Sequence, residues 1–162
     1  MLGGKYTRIF FATDVHGSDP VWRKFIRGAD RYKADVSIIG GDITGKNVVA
    51  VTENPDGTFS AEFQEQKRSL KNNGELKRFE EVLRTTGAYM YVAKQTELNE
   101  LAADKKRADE IFSRLVLERL KEWADFADQN AKAPIYVNAG NDRAAAFGRL
   151  AGMTAPFYGT GD

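Results

Sequence analysis

The sequence predicts an α/β fold built around a parallel sheet, and three short segments carry that prediction. They read Arg8-Ile-Phe-Phe-Ala-Thr-Asp14-Val-His16-Gly17, Val36-Ser-Ile-Ile-Gly-Gly-Asp42 and Pro134-Ile-Tyr-Val-Asn-Ala-Gly-Asn141-Asp142. Each is an apolar run that stops at a carboxylate, imidazole or amide cluster. Such a run reads as a buried strand of a parallel sheet, covered on both faces. Three strands of this kind place Asp14, His16, Asp42 and Asn141 at their carboxyl ends, the rim where open α/β sheets bind ligands. Oxygen and imidazole donors without thiols suit a hard or borderline divalent cation.

The elements follow in order. After the first strand, Ser18-Asp19-Pro20 supplies a helix start, with Ser or Asp as cap and Pro in the first turn. Val21, Trp22, Phe25, Ile26 and Ala29 then share one helical face over about residues 18–33. Strand, helix and second strand form a βαβ unit, which brings Asp14 and Asp42 to the same end of the sheet. Residues 48–63 are two extended runs around Asn54-Pro55-Asp56-Gly57, a hairpin outside the parallel sheet. A helix runs from about Glu75 to Thr86 and stops at Gly87, and Ala88 to Ala93 is extended or irregular. From about Thr96 to Gln129 the chain is helical with a break near Asp104. Its second part carries Ile111, Phe112, Leu115, Val116, Leu120, Trp123 and Ala127 on a face expected to pack on the sheet. Residues 46–95 are thus an insertion between the second and third core strands, placed to shape a pocket.

Composition narrows the function classes. The 162 residues fit one domain, 1–162. Lys+Arg 24 against Asp+Glu 23 leaves a net charge of +1, so no nucleic-acid footprint is indicated. The chain has no cysteine, which excludes disulfides and thiolate metal sites. No run reaches the length of a membrane span, and the amino terminus lacks a long apolar segment. No membrane contact and a cytoplasmic location are therefore expected.

Each motif has a plainer reading beside the functional one. His16 is the single histidine of the chain, and a lone histidine is usually structural; two residues after Asp14 and before Gly17, it reads as a ligand. Gly40-Gly41-Asp42-Ile43-Thr44-Gly45-Lys46 has the spacing of a phosphate loop, yet Asn47 replaces the hydroxyl residue and a hairpin, not a helix, follows. A nucleotide-binding reading is thereby demoted. Gly140-Asn141-Asp142 is read either as a turn or as a ligand cluster. Tyr89-Met90-Tyr91 either lines a pocket or belongs to the core.

Taken in order, Asp14-Val-His16-Gly17, Gly41-Asp42 and Gly140-Asn141-Asp142 resemble the amino-terminal half of the calcineurin-like metallophosphoesterase superfamily. The resemblance implies a two-sheet α/β sandwich holding two divalent ions of Mn, Zn, Fe or Ni type. It assigns Asp14 and His16 to the first ion, Asp42 as the bridge and Asn141 to the second. Two cations about 4 Å apart need a shared anion between them, and together they clamp the attacking and leaving oxygens of a displacement. The implied activity is hydrolysis of a small phosphomonoester or phosphodiester by a two-metal hydroxide mechanism. The alternative is a catalytically inactive binding or scaffold protein on the same fold.

The chain departs from the family pattern in two places. Asp142 and Arg143 stand where the family has histidine and an acidic residue, which leaves open whether Asp142 assists the leaving group and whether Arg143 binds a phosphate oxygen or is a solvated loop arginine. The family also takes histidine ligands from later motifs, and nothing after Asn141 is histidine. The expectation is weak or absent metal binding and little activity, in a chain that is either a piece of a longer protein or a natural half-domain that has lost catalysis. A sheet cut midway is expected to expose an unpaired edge and apolar surface, inviting a homo-oligomer.

Overall fold

Residues 6–138 and 140 are described by the computed structural model. The first apolar segment forms strand β1 (Ile9–Ala12), followed by helix α1 (Asp19–Arg31) and strand β2 (Val36–Ile39). Pro20 in the first turn of α1 needs no partner for its missing N–H, and Ser18 holds the N-cap position in an extended conformation. The Ser18 hydroxyl does not cap the helix, as the sequence suggested. It donates to the Thr85 carbonyl at 2.8 Å, which ties the start of α1 to the insertion. Trp22, Phe25, Ile26 and Ala29 are buried as expected, whereas Val21 is exposed.

The insertion is more than a hairpin and a helix. Strands β3 (Val48–Glu53) and β4 (Phe59–Phe63) flank the Asn54–Gly57 turn, and strand β5 (Gln66–Leu70) adds to β4 antiparallel. Sequence reading misses β5 because Gln-Lys-Arg-Ser-Leu shows no alternation, and only Leu70 is buried. Its turn is also unmarked: Gln64 and Glu65 both take positive φ without an Asn or Gly between them. Helix α2 (Asn73–Thr86) begins with Asn72 accepting from the Gly74 and Glu75 amides at 2.9 and 3.1 Å. It ends at Gly87, whose φ of 80° is the left-handed helix stop. Strand β6 (Tyr89–Ala93) then pairs parallel with β3, completing a four-stranded sheet in the order β5-β4-β3-β6. Val49, Val51, Phe59, Ala61, Leu70, Phe79, Leu83 and Ala88 give this sheet a core of its own.

Helix α3 (Gln95–Ala103) packs on β3, and Asp104 marks the break before helix α4 (Lys105–Asn130). There the Asp104 side chain accepts from the Arg107 amide at 3.0 Å. Val116, Leu120, Trp123 and Ala127 of α4 are buried together with Trp22, Ile26 and Ile39, so the long helix does lead to the sheet. The indole rings of Trp22 and Trp123 stack at 5.1 Å, 5° from parallel, a contact that stabilises by about 1 kcal/mol beyond its buried area. Strand β7 (Ile135–Val137) closes the parallel sheet in the order β1-β2-β7.

One expectation about this sheet is corrected. Pairing of Phe10 with Ser37 and of Ala12 with Ile39 puts Phe10, Ala12, Ser37, Ile39, Ile135 and Val137 on the helix-covered face. The opposite face carries Ile9, Phe11, Val36, Ile38 and Tyr136, and no described residue covers it fully. Ile9 and Phe11 are 58% and 62% exposed, so among the described residues the sheet is covered on one face rather than two. The architecture is α/β, with one parallel and one mixed sheet and four helices among those residues. No helix among them is long and apolar enough to cross a membrane.

Candidate metal centre

The parallel pairing of β1 and β2 does not stop where the strands stop. The Gly40 amide donates to Ala12 O, Asp14 to Gly41 O, His16 to Asp42 O and Gly17 to Ile43 O, at 2.8 to 3.1 Å. The two loops are zipped along their backbones, and this carries Asp14, His16 and Asp42 to one rim. Their ligand atoms all lie within 4.8 Å of one another. His16 Nε2 is 3.4 Å from Asp14 Oδ1. Val15, between them, is buried and anchors the loop in the core below.

Asp14 and His16 do not lie on extended backbone: φ is 59° at Asp14, 48° at His16 and 50° at Asp42. Residues with a Cβ are uncommon in this left-handed region, although Asp and His tolerate it better than most. Three such residues in one cluster concentrate left-handed backbone that the surroundings must hold in place.

Glycines let the surroundings come that close. An added Cβ at Gly17 would meet Gly45 N at 2.6 Å and Gly87 O at 2.7 Å, and one at Gly45 would meet Gly87 O at 1.8 Å. The loop after β1, the loop after β2 and the end of α2 therefore meet backbone to backbone. The third segment arrives from the other side. Asn138 N donates to Ile39 O at 2.9 Å, and a Cβ at Gly140 would meet the Asp42 amide at 2.7 Å.

Of the residues expected at the site, the structure gathers Asp14, His16 and Asp42. Asn141, Asp142 and Arg143 lie outside the described residues. Two carboxylates and one imidazole fit a hard or borderline divalent ion, and among the described residues this set suffices for one. Lys46 places its ammonium 3.9 Å from Asp42 Oδ2, a cation at the rim. The loop that resembled a phosphate loop leads into β3 and not into a helix, so it lacks the helix N-terminus that binds phosphate. Tyr89 belongs to the core, and its hydroxyl accepts from the Gly45 amide at 3.1 Å.

Sequence reading passed over Arg119. It lies on the apolar face of α4 yet is 5% exposed, and it donates to the carbonyl of Gly17, next to His16, at 2.9 Å. The signal was present in the periodicity, a charge three residues after Val116 and four before Trp123. Compared with known proteins, the chain matches no family model, no curated protein and no solved structure.

Proposed function

We propose that this chain carries the cation-binding part of a metal-dependent phosphoesterase of sandwich type, acting on a small phosphomonoester or phosphodiester. The observation that supports the reading most is the convergence of Asp14, His16 and Asp42, each in a left-handed conformation, at the carboxyl rim of a parallel sheet. A divalent ion bound there would supply Lewis acidity toward a phosphate oxygen and a more acidic water. Asp14 and His16 would hold it from the first loop and Asp42 from the second. Lys46 adds a positive charge that draws a phosphate toward the rim.

A second reading is a binding or scaffold protein on the same fold. It is favoured by the ligand count, since His16 is the single histidine of the sequence.

Titration of the chain with Mn²⁺, beside hydrolysis of p-nitrophenyl phosphate and bis-p-nitrophenyl phosphate, separates the two. The phosphoesterase reading expects one weak Mn²⁺ site, abolished in His16→Ala and Asp42→Asn, with slow hydrolysis that chelator stops. Binding without hydrolysis of either ester favours the scaffold. No Mn²⁺ binding at all sinks the metal centre, and two tight sites overturn the ligand count.

A further inference from the structure

A guanidinium inside a helix–sheet core is costly unless its N–H groups find acceptors. Arg119 finds them in two loops. Nη1 donates to Gly17 O at 2.9 Å and Nη2 to Ala88 O at 3.4 Å, and the guanidinium lies 5.0 Å from the centre of the Tyr89 ring. Asp19 Oδ1 stands 3.5 Å from Nη1. That carboxylate is fixed in turn by Arg84 Nε and Trp123 Nε1, each at 2.7 Å. Arg84 is also paired with Glu122. Burial, and then the nearby Arg84, lower the pKa of Arg119 from its ordinary value, but an arginine stays charged at neutral pH.

Gly17 is thereby held at both its polar groups. Its N–H donates to Ile43 O in the loop after β2, and its carbonyl accepts from Arg119 in α4. His16 precedes a peptide that cannot turn without breaking one of these bonds. The carbonyl of that same peptide, His16 O, lies against Gly87, where an added Cβ would stand 1.8 Å away. The strained φ of His16 is thus set from below by α4 and from the side by the insertion.

The structure assigns Arg119 the role of a positioning residue, which through Gly17 holds His16 beside Asp14 and Asp42 and through Ala88 ties that arrangement to the insertion. The assignment rests on reading the Asp14–His16–Asp42 cluster as a cation site. Loss of an outer partner of a metal ligand lowers affinity roughly 10- to 100-fold, and Arg119 acts one residue away from such a ligand.

The test is Mn²⁺ affinity, by calorimetry and by electron paramagnetic resonance, together with the melting temperature of the metal-free chain. Arg119→Lys keeps the charge but cannot reach two carbonyls, and is expected to lose about tenfold in affinity. Leu120→Ala, the neighbouring core residue, opens a cavity and lowers the melting temperature without removing a hydrogen bond to Gly17 or Ala88, and keeps wild-type affinity. Should Arg119→Lys not fold, Asp19→Asn removes the charge that fixes the guanidinium and gives a smaller loss in the same direction. Unchanged affinity in Arg119→Lys, or equal losses in Arg119→Lys and Leu120→Ala, overturns the positioning role while leaving the cation site standing if His16→Ala abolishes binding. Absence of Mn²⁺ binding in the wild-type chain overturns both.

Discussion

The insertion's sheet β5-β4-β3-β6 turns its corners largely with residues suited to turning. Gly57 takes φ 81°, Asn72 caps α2 and Gly87 ends it at φ 80°. The parallel sheet β1-β2-β7 ends in loops where Asp14, His16 and Asp42 hold positive φ and glycine would have been easier. The insertion has one exception, Gln64-Glu65, and there the two-residue loop of a paired hairpin compels the conformation. Nothing in the pairing of β1 with β2 compels it at the rim. Three of the six non-glycine residues with positive φ among the described residues thus gather at this one rim, the others being Lys33 after α1 and the Gln64-Glu65 turn.

The largest expected difference between the two regions comes from one substitution made in each. In Gly45→Ala the new Cβ falls 1.8 Å from a backbone oxygen, that of Gly87, while in Gly57→Ala nothing lies within 4 Å. Gly45→Ala must push the loop after β2 away from the end of α2, at a cost of about 3 kcal/mol or more. Gly57→Ala carries only the strain of a left-handed alanine, about 1 kcal/mol. Urea denaturation of both variants measures the gap. Equal losses would mean that the three-loop junction is no tighter than an open hairpin turn.

The next contrast is smaller and opposite in sign. Replacing His16 by Gly removes strain, and the metal-free chain is expected to gain about 0.5–1 kcal/mol while losing Mn²⁺ binding. Lys33, at φ 51° just after α1, serves as the control: Lys33→Gly should bring a similar gain with Mn²⁺ binding intact. A loss of stability in both variants would show that these conformations carry no strain to release.

How far the sequence revealed this contrast depended on the kind of signal. Periodicity exposed α1, α2 and α4, and turn chemistry exposed the Asn54–Gly57 hairpin and the stop at Gly87, because each is dictated within a few residues. β5 was invisible, since an edge strand of Gln, Lys, Arg and Ser buries little. That Asp14, His16 and Asp42 would converge was legible from the parallel topology, which fixes where strand ends lie. Their left-handed backbones were not, because those are imposed by Gly17, Gly45, Gly87 and Arg119 meeting from distant parts of the chain. The face of β1 left uncovered by the described residues was hidden for the opposite reason: Ile-Phe-Phe-Ala reads as a doubly buried strand whether or not anything covers Ile9 and Phe11.

The smallest expected effect lies wholly within the insertion, at the turn the sequence described best. Asp56 accepts from the hydroxyl and the amide of Thr58 at 2.7 and 3.0 Å. The hydroxyl bond first, and then the amide bond, hold its carboxyl below the ordinary pKa. A depressed folded-state pKa means that the stabilisation is complete above the unfolded value of about 3.9. It is lost as pH falls through the lower, folded value. In Thr58→Ala the hydroxyl bond is gone, and the Asp56 carboxyl should titrate closer to its ordinary value when followed by carbon NMR. Because the group is exposed, the acid unfolding midpoint of the chain should move little. The rim offers the contrast, for there Asp14 and His16 from one loop meet Asp42 and Lys46 from another, whereas the Asp56–Thr58 pair lies within a single turn. A Thr58→Ala variant that also changed Mn²⁺ binding at the rim would show that the two sheets are coupled, and that the division between a locally determined insertion and a collectively determined rim is drawn in the wrong place.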